Sequence, residues 1–135
     1  MELYVGGCFQ GKQRYVCEKK QIKKEEFMDE AVFGHCKTET EWVEYCSKYK
    51  GINHVHLLIR QLLEQGINSK TFLEQVVEKN PDIILICDEV GYGIVPLKKE
   101  DREYREVVGR TICMAAQKAN HMERIIGGIG MVLKE

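Results

Sequence analysis

The chain lacks a basic excess. Twenty Lys and Arg stand against 21 Asp and Glu, for a net charge of −1. A nucleic-acid-binding face built on clustered Lys and Arg is therefore not implied. Proline is scarce, at two residues, and the 12 glycines do not tip the composition toward a collagen-like or disordered chain. No apolar run approaches the roughly 20 residues that a bilayer crossing needs, so no membrane-spanning helix is expected. The opening Met1-Glu2-Leu3-Tyr4-Val5-Gly6-Gly7 has neither the basic nor the apolar region of a signal peptide, which points to the cytoplasm. Closely spaced cysteine pairs are absent too. Cys8, Cys17, Cys36, Cys46, Cys87 and Cys113 form no CxxC motif, and reduced thiols, several of them buried, are expected.

What is present suits one core. With 44% hydrophobic and 30% charged residues over 135 positions, the chain reads as a single domain spanning 1–135. Glu2 to Val5 has the length and character of a buried strand. A helix is expected from Gly11 to about Lys20, a solvated turn over Lys19 to Glu26, and a short strand at Ala31 to Phe33. Thr38 and Glu41 have the spacing of a capping box ahead of a helix to about Tyr49. Val55, Leu58, Ile59, Leu62 and Leu63 recur on one helical face that Gly66 can end. Ser69 is placed to cap the next helix, whose inner face is Phe72, Leu73, Val76 and Val77, and Pro81 stops it. Ile83 to Cys87 is a continuous apolar run, as in parallel strands buried on both faces. A long helix from about Glu100 to Ala119 follows, then terminal strands around Gly127-Gly128. Strands alternating with helices predict a three-layer α/β fold with a mostly parallel sheet.

Gly6-Gly7-Cys8-Phe9-Gln10-Gly11-Lys12-Gln13 carries the spacing GxxxxGK between a predicted strand and a predicted helix. Glycines let successive backbone N–H groups turn into one concave space. The following helix adds the positive end of its dipole, and the lysine supplies an ammonium for phosphate oxygens. Gln13 stands where Ser or Thr normally ligates Mg²⁺. Its amide oxygen can touch a metal but does not mimic a hydroxyl, so weaker Mg²⁺ binding is expected. Asp88 and Glu89 end the apolar run, where ligands of open parallel sheets bind. Asp88 is the candidate Mg²⁺ ligand there. His54 and His56, two residues apart, would diverge on a helix, and His121 falls near a helix end; surface or capping roles are expected for all three.

Asp88-Glu89-Val90-Gly91-Tyr92-Gly93-Ile94-Val95-Pro96 resembles a signature of the adenosylcobinamide kinase / adenosylcobinamide-phosphate guanylyltransferase family. The likeness runs on through Arg102 to Arg110, reaches Gly128-Ile129-Gly130, and includes Val5-Gly6-Gly7 with Gly11-Lys12 at the start. It implies a P-loop NTPase-like fold. It further implies that Gly6–Gln13 holds the triphosphate of ATP or GTP with Mg²⁺, that Lys12 and Glu89 serve catalysis, and that adenosylcobinamide is the acceptor. Family members also transfer GMP through a guanylylated histidine and assemble as oligomers. The chain departs from the family at Gln10 and Gln13, where the family carries Ser, and in a shortened middle. Two alignments are open around His35. In one it belongs to the histidine-bearing helix, with Trp42 downstream. In the other Val32 to Cys36 is the central strand, His35 replaces a metal-binding Asp, and the guanylyltransferase half is lost.

Overall fold

The computed structural model describes residues 1–29, 36–90 and 98–135. Along the chain run β1 (Glu2–Gly6), α1 (Lys12–Lys20), β2 (Phe27–Met28), α2 (Glu39–Ser47), β3 (Gly51–Ile52), α3 (Val55–Glu64), α4 (Ser69–Lys79), β4 (Ile84–Asp88), α5 (Lys99–Lys118), β5 (His121–Ile126) and β6 (Ile129–Lys134). The strands form one sheet in the order β2-β3-β4-β1-β5-β6. Every pairing is parallel except that of β5 with β6. The three-layer α/β expectation therefore holds.

Alternation along the central strands divides the interior in two. Leu3, Val5, Leu85 and Cys87 point into a large core shared with α2, α3, α4 and α5. Tyr4, Ile84, Ile86 and Ile125 point the other way, against Val16 of α1 and Phe27. This is why Ile83 to Cys87 reads as an unbroken apolar run. Each such side chain contributes about 1.5–3 kcal/mol by leaving water. Val55, Leu58, Ile59 and Leu62 are buried, as their helical spacing predicts.

Several local expectations need correction. The cap of α4 is Asn68, whose Oδ1 accepts from Thr71 N at 3.1 Å. Ser69 is instead buried and shares a hydrogen bond with Thr111 at 2.9 Å. Thr38 does cap α2 by accepting from Glu41 N, but the Glu41 carboxylate reaches back to Lys37 N rather than to the cap itself. The strand beside β4 is Gly51–Ile52, which the sequence reading did not single out. The strand expected at Ala31 to Phe33, His35, and Gly91 to Pro96 lie outside the described residues. The cysteines are free, with Cys46 and Cys87 buried, as expected.

His121 does not sit on a helix end. It opens β5 and joins a cluster around one buried carboxylate on the α1 side of the sheet. Glu123, 1% exposed, accepts hydrogen bonds from Tyr15 Oη at 2.6 Å, from Lys19 Nζ and from His121 Nε2 at 2.6 Å. These bonds tie the middle and last turn of α1 to β5.

Candidate functional site

The chemistry-bearing residues converge at the C-terminal ends of β1, β3 and β4. Gly6 lies opposite Asp88 in the parallel register, and Glu89 N donates to Gly6 O at 2.8 Å. A Cβ on Gly6 would stand 2.5 Å from the carbonyl oxygen of Ile125, so only glycine lets β5 pass this close. The loop then turns through Gly11, whose φ of 75° lies in the left-handed region that favours glycine, and α1 starts at Lys12.

Lys12 is 7% exposed. Its stem lies along Gly6, and its Nζ donates to Gly7 O at 2.8 Å and pairs with Asp88 Oδ1 at 2.6 Å. A buried ammonium is sustained only by such partners. The same contacts place the charge over the strand ends beside the first turn of α1.

His56 completes this arrangement from α3. Its Nδ1 accepts from Asp88 N at 3.2 Å, and its Nε2 stands 3.4 Å from Asp88 Oδ2. Burial holds its pKa below the ordinary histidine value, a fall that Asp88 opposes and that His54, Lys12 and Arg60 reinforce. A neutral ring with Nδ1 as acceptor carries its proton on Nε2, toward the carboxylate. Tyr104 of α5 fixes the start of α3 by donating to His56 O at 2.8 Å.

Glu89 is not a free carboxylate. Arg124 of β5 grips it with a two-pronged contact, Nε to Oε1 at 2.7 Å and Nη2 to Oε2 at 3.0 Å. Such paired contacts fix carboxylate geometry as well as charge. A recess of about 200 Å³ opens beside Asp88 and Glu89, against Val108 and Ile112 of α5. A larger cleft of about 630 Å³ lies at the opposite strand ends, around Glu2, Lys20 and Asn120. It collects none of the motif residues, and strand C-termini are where open α/β sheets hold ligands.

The two glutamines of the loop behave differently. Gln10 Oε1 accepts from Gly127 N at 2.6 Å, and its carbonyl accepts from Gly128 N at 3.0 Å. It thereby ties the loop to the β5–β6 turn. Gln13 Nε2 is buried with no hydrogen-bond partner. Phe9 projects into solvent, 99% exposed, and Cys8 is exposed.

The sequence motifs thus bring Gly6, Gly7, Lys12 and Asp88 together, with Glu89 alongside. They did not disclose Arg124, His56 or a third set beyond them. Asp29 follows β2, and its Oδ2 accepts from Asn53 Nδ2 at 3.1 Å while its Oδ1 meets His54 Nδ1. The rings of His54 and His56 do not diverge but meet edge to face at 5.7 Å. The cause is the backbone: His54 precedes α3 with φ 55°, so the helical angle between the two does not apply. Among the described residues no group of three or more His, Cys, Asp or Glu side chains is arranged to hold a metal ion.

A family model described as cobinamide kinase / cobinamide phosphate guanyltransferase matches residues 19–133. The chain belongs to this family. Its mostly parallel sheet with helices on both faces is the family's P-loop-like fold. Two curated relatives agree. The bifunctional adenosylcobalamin biosynthesis protein CobU of Escherichia coli is 34% identical over 76 residues, covering 55% of this chain and 42% of that protein. Its Salmonella typhimurium counterpart is 35% identical over 52 residues, or 38% and 29% of the two chains. The alignments therefore span less than half of either relative. The family match begins at residue 19, beyond the Gly6–Gln13 loop, so the loop is read from its own geometry.

Proposed function

We propose that this member of the cobinamide kinase / guanyltransferase family binds ATP or GTP at the Gly6–Gln13 loop and transfers the terminal phosphoryl group to a hydroxyl of adenosylcobinamide. The observation that carries this reading is Lys12. Its buried ammonium is held by Gly7 O and Asp88 at the strand ends, where a triphosphate on the first turn of α1 would meet it. An incoming phosphate replaces an internal carboxylate as its partner.

Mg²⁺ fits this donor set through few protein ligands. The ion keeps several waters and takes one or two carboxylates plus phosphate oxygens. Asp88 would supply a carboxylate, and the Gln13 amide oxygen would stand in place of the usual hydroxyl; the buried atom of Gln13 that lacks a partner is its amide nitrogen, a donor that cannot ligate the ion. When bound, the ion would neutralise charge on the phosphates. The chain's own groups do the rest. Loop N–H groups and Lys12 orient the triphosphate, and the Arg124 fork keeps Glu89 in place beside it.

In this reading the guanylyltransferase half is lost and the protein works in the cytoplasm. A second reading rests on Gln10. Its bonds to Gly127 and Gly128 hold the loop to the β5–β6 turn, which suits a nucleotide-binding relative that signals to a protein partner or a second copy without turnover.

Thermal unfolding with and without Mg²⁺–ATP and Mg²⁺–GTP tests the proposal. A nucleotide at 100 times its dissociation constant should stabilise by about 2.7 kcal/mol, a rise of about 10 °C for a domain of this size. No rise with either nucleotide at millimolar concentration sinks both readings. Binding without transfer to adenosylcobinamide leaves the second.

A further inference from the structure

We propose that His54 and Asp29 form a catalytic dyad in which His54 Nε2 takes the proton from the acceptor hydroxyl as it attacks the terminal phosphorus. The proposal rests on the phosphoryl-transfer reading above and adds a group that the motifs do not name.

Three observations converge on it. The first is the carboxylate. Asp29 spends Oδ2 on Asn53 Nδ2 at 3.1 Å and Oδ1 on His54 Nδ1. A carboxylate acceptor places the proton of the neutral His54 ring on Nδ1, which in that form leaves a lone pair on Nε2. A carboxylate that fixes tautomer and orientation in this way is the arrangement that makes an imidazole a working base.

The second is the backbone. His54 has φ 55°, a left-handed conformation that non-glycine residues adopt rarely. It persists because both sides are fastened. Asn53 N donates to Met28 O at 2.8 Å, and His54 O accepts from Leu57 N at 2.9 Å and Leu58 N at 3.2 Å to start α3. Strain of this kind concentrates at functional sites.

The third is position. The side chains of His54 and Asp29 are 36% and 35% exposed, against 8% and 17% for Lys12 and Asp88. Among the described residues His54 Nε2 has no hydrogen-bond partner. The His54 ring touches the His56 ring, His56 Nε2 stands 3.4 Å from Asp88 Oδ2, and Asp88 Oδ1 stands 2.6 Å from Lys12 Nζ. The dyad is thus the outer end of a chain of contacts whose inner end is the proposed phosphate site, and it faces the solvent from which an acceptor arrives.

The step balances without a further reactant. The hydroxyl oxygen of the acceptor forms a bond to the γ-phosphorus. The bond from that phosphorus to the bridging oxygen breaks, and its electron pair leaves with the nucleoside diphosphate. The hydroxyl proton passes to His54 Nε2. The resulting imidazolium is stabilised by Asp29 and later gives its proton to water.

The test compares the native chain with His54→Asn and Asp29→Asn. Asparagine tolerates the left-handed backbone, so the start of α3 is kept while the base is removed. γ-Labelled ATP or GTP is supplied with Mg²⁺ and adenosylcobinamide. Nucleotide-induced thermal stabilisation is expected to survive in both variants. Phosphoryl transfer should fall about 10²–10⁴-fold in His54→Asn, and added imidazole should restore part of it. Transfer within twofold of native in that variant overturns the proposal. So does label bound covalently to His54, or a native chain that binds nucleotide and transfers nothing. Absence of any native thermal shift overturns the nucleotide reading, and the dyad falls with it.

Discussion

Replacing Lys12 with alanine should lower the melting temperature of the ligand-free protein by about 10 °C and erase its response to nucleotide. Two separate causes act. In the free protein Lys12 and Asp88 are a pair with side-chain exposures of 8% and 17%. Removing one partner leaves the Asp88 carboxylate largely enclosed without its counter-charge, at a cost of about 3 kcal/mol. The neutral His56 beside it is one donor and no substitute for a cation. With nucleotide, the lost ammonium no longer meets the phosphates. The two causes separate in the double variant Lys12→Met with Asp88→Asn. Removing both charges should recover much of the ligand-free stability, while the nucleotide response stays absent. Thermal scans of the native chain, Lys12→Ala, Lys12→Met, Asp88→Asn and the double variant check this. A Lys12→Ala protein that keeps its melting temperature contradicts the pairing. One that keeps its nucleotide shift contradicts the role of the lysine.

The second large effect concerns acid. Burial alone would push the Glu123 carboxyl up, but hydrogen bonds from Lys19, Tyr15 and His121, with the charge of Lys19, outweigh it and bring the pKa down to about 2. A carboxyl whose folded pKa lies below its unfolded value near 4.5 stabilises the fold fully above the unfolded value. That contribution drains as pH falls from about 5 toward about 2. Denaturant titrations across this window should show stability falling with pH. In Glu123→Gln the slope should be shallower. At pH 7 that variant should be less stable by about 1–3 kcal/mol, because the amide keeps one acceptor oxygen but removes the charge facing Lys19 and turns an NH2 toward donors that shared the other oxygen. Equal slopes in the two proteins would mean that the cluster does not carry the charge coupling assigned to it.

Legibility in the sequence followed the range of the interactions involved. β1, the Gly6–Gln13 turn, β4 and the apolar face of α3 are written in local pattern, and each lies where the pattern places it. Phe27–Met28 and Gly51–Ile52 are two-residue strands, too short to show a period. Phe27 follows a charged run that reads as a turn. Their identity depends on pairing with each other and with β4, which is a property of the folded sheet. The same holds within the site. Asp29 and His54 are 25 residues apart and Glu89 and Arg124 are 35 apart, so neither pair has a spacing to recognise. His121 shows how adjacency misleads: nearness to the end of α5 suggested a helix-end cation, whereas β5 turns it onto Glu123. The family signature at Asp88 to Pro96 identified the lineage, although only Asp88 to Val90 of it falls within the described residues.

The most direct test of the account is an amide NMR titration of the uniformly ¹⁵N-labelled chain with Mg²⁺–ATP and Mg²⁺–GTP. The largest perturbations are expected at Gly6, Gly7, Gly11, Lys12 and Gln13, with smaller ones at Asp88 and Glu89. Perturbations centred instead on Glu2, Lys20 and Asn120 at the opposite strand ends, or none at all, would contradict it.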